Sequence, residues 1–165
     1  MPARQPLFPP SSVPWLVTGA AIAALCVAWI AQYGFGLAPC ELCYLQRYGY
    51  WAAIALGVVA ILQPAKTPRR VVAMWLLALA FLAVAAIALF HVGVEQKWWE
   101  GFTSCTGGIK AGMTAEELEQ AVLNAPIVRC DEPAWTMFGI SMAGYNLLYA
   151  LALAAFTAWG AARSR

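Results

Sequence analysis

Four long apolar runs organise the chain, at about Pro14–Tyr33, Tyr44–Leu62, Val71–His91 and Met137–Gly160. Each is long enough to cross a bilayer as a helix, which takes roughly 17–25 residues. The pattern predicts an all-α membrane protein: one four-transmembrane-helix bundle over residues 1–165, with no room for a second folded domain. The first run resembles a signal peptide only superficially. Arg4 would supply its basic start, but the apolar stretch continues past the usual h-region of about 7–15 residues, and no A-x-A boundary leads into a polar segment. A membrane span is expected there.

Composition agrees. The chain is 62% hydrophobic and 11% charged, against about 25% charged in water-soluble domains, and its mean hydropathy is +0.68. The few charges are sorted. Arg4, Lys66, Arg69, Arg70, Arg163 and Arg165 lie before the first run, between the second and third, and after the fourth, with no acid among them. The long connection, about residues 92–136, carries seven acids against three bases. Basic loops stay cytoplasmic, so both termini are expected inside, and the first and third connections outside. No basic patch suits a nucleic acid.

Within the long connection, Trp98, Trp99 and Phe102, then Trp135 and Phe138, read as interfacial anchors. Between them "TAEELEQAVLN" offers Thr114 and Glu117 as a capping box, with Leu118 and Val122 at helical spacing. A short amphipathic helix is predicted, suited to packing rather than to binding.

Chemistry centres on cysteine. Of five cysteines, Cys26 lies mid-span in the first run and is expected to be a buried apolar filler. The other four, Cys40, Cys43, Cys105 and Cys130, fall in the outward connections, the side on which disulfides persist. Cys105 and Cys130 suit a structural disulfide as well as an exchanging one. Cys40 and Cys43 suit chemistry better, because a bridge across two residues closes a tiny loop and gains little chain entropy. Pro39 and the turn before it suggest that a helix begins near Cys40, where free N–H groups stabilise a thiolate; Glu41 opposes this.

Arg47 follows one turn later on the same helical face as Cys40 and Cys43. A guanidinium in an apolar helix costs about 2.5–3.5 kcal/mol at mid-bilayer. Snorkelling or pairing with Glu41 would offset that cost. The functional alternative is that Arg47 stabilises negative charge beside Cys43. His91, the single histidine, ends the third run on the same outer side. Alone it suits an interfacial hydrogen bond; with Arg47 it would meet a carbonyl oxygen at the membrane edge. One histidine excludes bis-histidine haem ligation, and a zinc site would consume the cysteines, so no metal is expected. Nothing in the sequence binds a nucleotide. An acceptor for electrons from a dithiol at the lipid boundary would therefore arrive through the bilayer, which points to a quinone.

"CELCYLQR", at the start of the second of four runs, resembles the DsbB family of bacterial inner-membrane disulfide-generating proteins. "CDEPAWTMFGISMAGY" and the "FTSC" before the loop's first cysteine resemble it too, so the likeness covers essentially the whole chain. Tyr145 stands where relatives often carry tryptophan. The resemblance implies a quinone-dependent oxidoreductase of the inner membrane with its redox cysteines on the periplasmic side. A DsbA-like oxidant would attack a Cys105–Cys130 disulfide at Cys105, Cys130 would pass to Cys40, and Cys43 would act on ubiquinone or menaquinone near Arg47 and His91. Vitamin-K-epoxide-reductase-like enzymes also couple outer cysteines to quinone, but there the loop pair precedes the CxxC. A tetraspan protein with purely structural disulfides is the third reading.

Overall fold

In a computed structural model of the chain, residues 9–102, 112–123 and 128–164 are described. Among the described residues, four helices are long and apolar enough to cross a membrane. The first, α1 (Val13–Trp29), continues through a wide π-helical turn at Ile30–Gly34; α2 spans Glu41–Leu62 and α3 Pro68–Glu95. A short helix, α4 (Ala115–Leu123), and a hairpin of β1 (Thr136–Met137) and β2 (Ile140–Ser141) precede α5 (Met142–Arg163). At 1.5 Å per residue, the 22-residue α2 reaches about 33 Å, close to the hydrocarbon thickness of about 30 Å. The 28-residue α3 is longer, and its last turns carry His91 and Glu95 to the end of the bundle where α2 and α5 begin.

Local chemistry sets the helix starts. Thr67 Oγ1 accepts from Arg70 N at 3.4 Å, with Pro68 in the first turn of α3. Ser141 Oγ accepts from Gly144 N at 3.1 Å and caps α5. The fourth span therefore begins at Met142, where the sequence suggested Met137. The intervening residues form the hairpin, turning at Phe138 (φ 51°) and Gly139 (φ 77°), the two positive φ values of a type I′ turn.

The core is a column of small and branched side chains: Val17, Ala21 and Leu25 of α1, Ala53 of α2, Leu77, Phe81 and Val84 of α3, and Ala150 and Ala154 of α5. Close approach requires small residues. A Cβ at Gly57 would collide with the Thr18 side chain on α1. Outside the bundle lies an apolar shell that includes Ile22, Val27, Trp51, Val58 and Leu79, all exposed. Such a face suits lipid rather than water. Cys26 belongs to that shell. It is exposed rather than buried, because the buried phase of α1 runs through Val13, Val17, Ala21 and Leu25 and Cys26 lies about 100° off it.

The capping box of α4 forms as expected: Thr114 N donates to Glu117 Oε2 at 2.8 Å, and Glu117 N to Thr114 Oγ1 at 3.3 Å. Of its two apolar positions, Leu118 is 42% exposed, and its neighbours from Glu116 to Gln120 are exposed as well; the side chain of Val122 lies outside those described. Trp99 folds back on α3, stacked on Phe90 at 5.8 Å and donating to the Phe90 carbonyl at 3.0 Å. Trp98 stays 63% exposed.

Candidate functional site

The N-terminus of α2, the C-terminus of α3, the N-terminus of α5 and residues 128–132 converge at one end of the bundle. Cys40 is the N-cap of α2, its Sγ accepting from Cys43 N at 3.4 Å. The two thiols lie 3.1 Å apart, so the CxxC spacing and the cap together bring both sulfurs to one helix start. His91 Nε2 is 3.6 Å from Cys40 Sγ. Hydrogen bonding to the Cys43 thiol, opposed by burial and assisted by His91, pulls the Cys40 thiol down to about 4. Negative charge on this sulfur is therefore well supported.

Cys130 is fully buried and disulfide-bonded. It shares one apolar cluster with Cys40, Leu42 and Val94, against which Cys43, Phe90 and Val128 pack. Asp131 anchors this segment. Its carboxylate accepts from Lys97 Nζ at 2.5 Å and from Arg129 Nε and Nη2 at 2.9 and 2.7 Å. Its pKa is held far below the ordinary carboxylate value, first by the Arg129 hydrogen bonds, against burial, and then by Lys97. Cys105 lies outside the described residues.

Cys40, Cys43, Arg47 and His91 line a common cavity of about 440 Å³, which Ala24 and Ala28 of α1 also line. Arg47 crosses to α1, where Nη1 donates to Gln32 Oε1 at 2.6 Å and Nη2 to the Ala28 carbonyl at 3.2 Å. The guanidinium also lies 5.4 Å from the Tyr44 ring centroid, a cation–π arrangement. No hydrogen bond joins Arg47 to Cys43 among the described residues.

His91 is buried, where the sequence alone suggested an interfacial position. Gln46 Nε2 lies 3.0 Å from Nδ1, and Glu95 Oε1 is 3.7 Å from Nε2. Behind Gln46, Asn146 Nδ2 donates to its Oε1 at 2.7 Å, and Tyr50 OH donates to Asn146 Oδ1 at 2.7 Å. Ser141 Oγ donates to Glu95 Oε2. Gln46, Tyr50, Glu95 and Asn146 were missed in the sequence. For Gln46, Tyr50 and Asn146 the signal was polarity inside apolar runs, which is costly in a bilayer; Glu95 fell among the acids of the long connection, because α3 runs on past His91 to Glu95.

Cys40 Sγ, Cys43 Sγ and His91 Nε2 lie within 4.8 Å of one another. A thiophilic cation would fit among them only by engaging both thiols. Apolar residues of α1 and polar side chains, Gln46, Arg47, His91 and Asn146 among them, both line the cavity that the two sulfurs border.

The family model for disulfide bond formation protein DsbB matches residues 10–160. The chain belongs to the DsbB family. It is 32% identical over 142 residues to disulfide bond formation protein B of Stutzerimonas stutzeri, covering 82% of this chain and 84% of that one. The namesake from Chromobacterium violaceum is 36% identical over 98 residues, covering 58% of this chain and 57% of its own. An uncharacterized protein of Rickettsia prowazekii is 29% identical over 137 residues, covering 82% of this chain and 78% of its own. No solved structure matches. As a DsbB-family chain with four membrane-capable helices, it is a multi-pass membrane protein of disulfide bond formation.

Proposed function

We propose that this DsbB-family chain is a quinone-dependent dithiol oxidoreductase that reoxidises a DsbA-like oxidant at the outer face of the bacterial inner membrane. The observation that carries the reading is the shared burial of Cys130 with Cys40, beside a cavity that Cys43 and Arg47 also line. One end of the bundle thus holds Cys130, from the long connection, and Cys40 next to a cavity that α1 lines with apolar residues. The charge bias of the connections supports cytoplasmic termini and a periplasmic cysteine face.

The steps follow thiol–disulfide exchange. The partner's thiolate attacks Cys105 Sγ of a Cys105–Cys130 disulfide, and Cys130 keeps the electron pair. Cys130 then attacks Cys40 Sγ of an oxidised Cys40–Cys43 pair, and Cys43 leaves as thiolate. The partner's second thiol displaces Cys105 and leaves the partner oxidised. Cys105 returns to Cys130, restoring the loop bond and freeing Cys40. The net products are two thiols, at Cys40 and Cys43, and re-forming their bond releases two electrons and two protons. The cavity bordered by Cys43, Arg47 and His91 would hold a quinone, which would supply the matching two-electron, two-proton acceptor chemistry. Arg47, fixed by Gln32 and Ala28, holds positive charge at the cavity beside the leaving Cys43, and His91 borders the same space.

The test uses reduced Cys105→Ser/Cys130→Ser protein in detergent. Adding ubiquinone or menaquinone should protect two thiols from alkylation, and Cys43→Ser should abolish the protection. Thiols that stay free under both quinones would remove the central step.

A further inference from the structure

His91 raises a question that the redox cysteines alone leave open: which ring nitrogen carries the proton when the imidazole is neutral. The two nitrogens are distinct, and the partner of one fixes the state of the other. Two acceptors face Nε2, the Cys40 sulfur at 3.6 Å and the Glu95 carboxylate at 3.7 Å. The proton therefore belongs on Nε2, and Nδ1 must accept. That demand propagates. Gln46 has to present its amide nitrogen to Nδ1, which turns its Oε1 toward Asn146 Nδ2. Asn146 is then left with its oxygen facing Tyr50, whose hydroxyl donates. Every group along the line is satisfied in this one polarity, which begins at a carboxylate and ends at a hydroxyl free to rotate.

We propose that Gln46, oriented by Asn146 and Tyr50, is a positioning residue that holds the His91 Nε2–H toward Cys40 Sγ. This inference rests on the reading of Cys40 and Cys43 as the redox pair and adds a reason for the behaviour of Cys40. When a bond to Cys40 Sγ breaks and that sulfur keeps the electron pair, a fixed N–H already faces it. The geometry does not require Gln46 to touch the partner, the acceptor or either sulfur. It acts through the imidazole. A thiol already pulled down to about 4 is in keeping with such a donor.

The titratable and charged groups around this point come from four elements. Cys43 and Arg47 belong to α2, Glu95 to α3, and Tyr145 to α5, while Arg129 and Glu132 approach from the loop segment. Arg47 is committed to α1, Arg129 to Asp131, and Glu95 to the Ser141 hydroxyl. His91 is the donor from another helix that has a direct hydrogen-bonding distance to Cys40.

The experiment measures the pH dependence of iodoacetamide labelling at Cys40, located by peptide mass spectrometry, in reduced Cys105→Ser/Cys130→Ser protein. Gln46→Leu should raise the labelling midpoint by about one pH unit, the scale of one hydrogen bond to a charged sulfur. Asn146→Leu should raise it less. In a His91→Ala background, Gln46→Leu should add nothing, a non-additivity that general loosening of the bundle would not produce. An unmoved midpoint in Gln46→Leu, or an equal shift with and without His91, overturns the proposal. Quinone-driven thiol protection, measured on the same protein without the Gln46 change, reports separately on the redox reading, so failure of one is distinct from failure of the other.

Discussion

Replacing Asp131 with asparagine should loosen the segment that carries Cys130 without changing any cysteine. Asp131 joins the end of α3 to residues 129–131 through Lys97 and a two-nitrogen contact from Arg129. Asparagine keeps the shape and one acceptor but loses the charge. The partners are largely in water, with Lys97 61% and Arg129 45% exposed, so screening holds each ion pair to about 0.2–1 kcal/mol. Two such pairs amount to about 0.4–2 kcal/mol, which corresponds to a rise of about 2–30-fold in the undocked population. Cys130 is fully buried when docked. Its modification by a water-soluble maleimide, in a background with Cys40, Cys43 and Cys105 replaced by serine, should accelerate by that factor. The pH dependence carries a sign. The Asp131 pKa is depressed in the folded chain, so its contribution is complete above the ordinary carboxylate value of about 3.9. It is lost as pH falls through the folded value. The difference between the two proteins should therefore be flat from neutral pH to about pH 5 and should shrink only in stronger acid. Equal maleimide rates at neutral pH would refute the clamp, as would a difference that vanishes already near pH 6.

Two further outcomes follow from other contacts. Arg47→Ala should slow quinone-linked thiol protection while leaving exchange with the oxidant partner intact. Arg47→Lys should restore little, since an ammonium cannot reproduce the fork to Gln32 and Ala28; equal loss of both half-reactions in the alanine variant would sink the assignment. Gly93→Ala should displace the Trp99 indole, which a Cβ at that position would overlap, at about 1–3 kcal/mol of overpacking. Thermal unfolding in detergent and the Trp99 fluorescence should both change, whereas an unchanged spectrum would show that Trp99 does not rest on α3.

The spans were legible because bilayer thickness imposes a length that few other structures need, and the capping box was legible because its two hydrogen bonds are local. Cys40, Cys43 and Arg47 were legible as one face because helical spacing alone brings them to a common side. Long-range contacts were not. His91 meets Gln46 across 45 residues of sequence, and Gln46 meets Asn146 across 100. An apolar run with almost no amphipathic phase cannot announce which residues face inward. The same blankness put Cys26 on the wrong side of α1 and hid the hairpin ahead of α5, whose Thr136–Ser141 stretch contains no charge. Inside such runs, the polar residues are the usable signal. Gln46 and Tyr50 lie four apart on α2, so they share a face with each other. Asn146 sits one turn into α5, the one in-span amide on that helix. A bilayer penalises each of them singly, so their presence argues that they find one another, and the network they build ends at the sulfur that the sequence had marked for chemistry on other grounds.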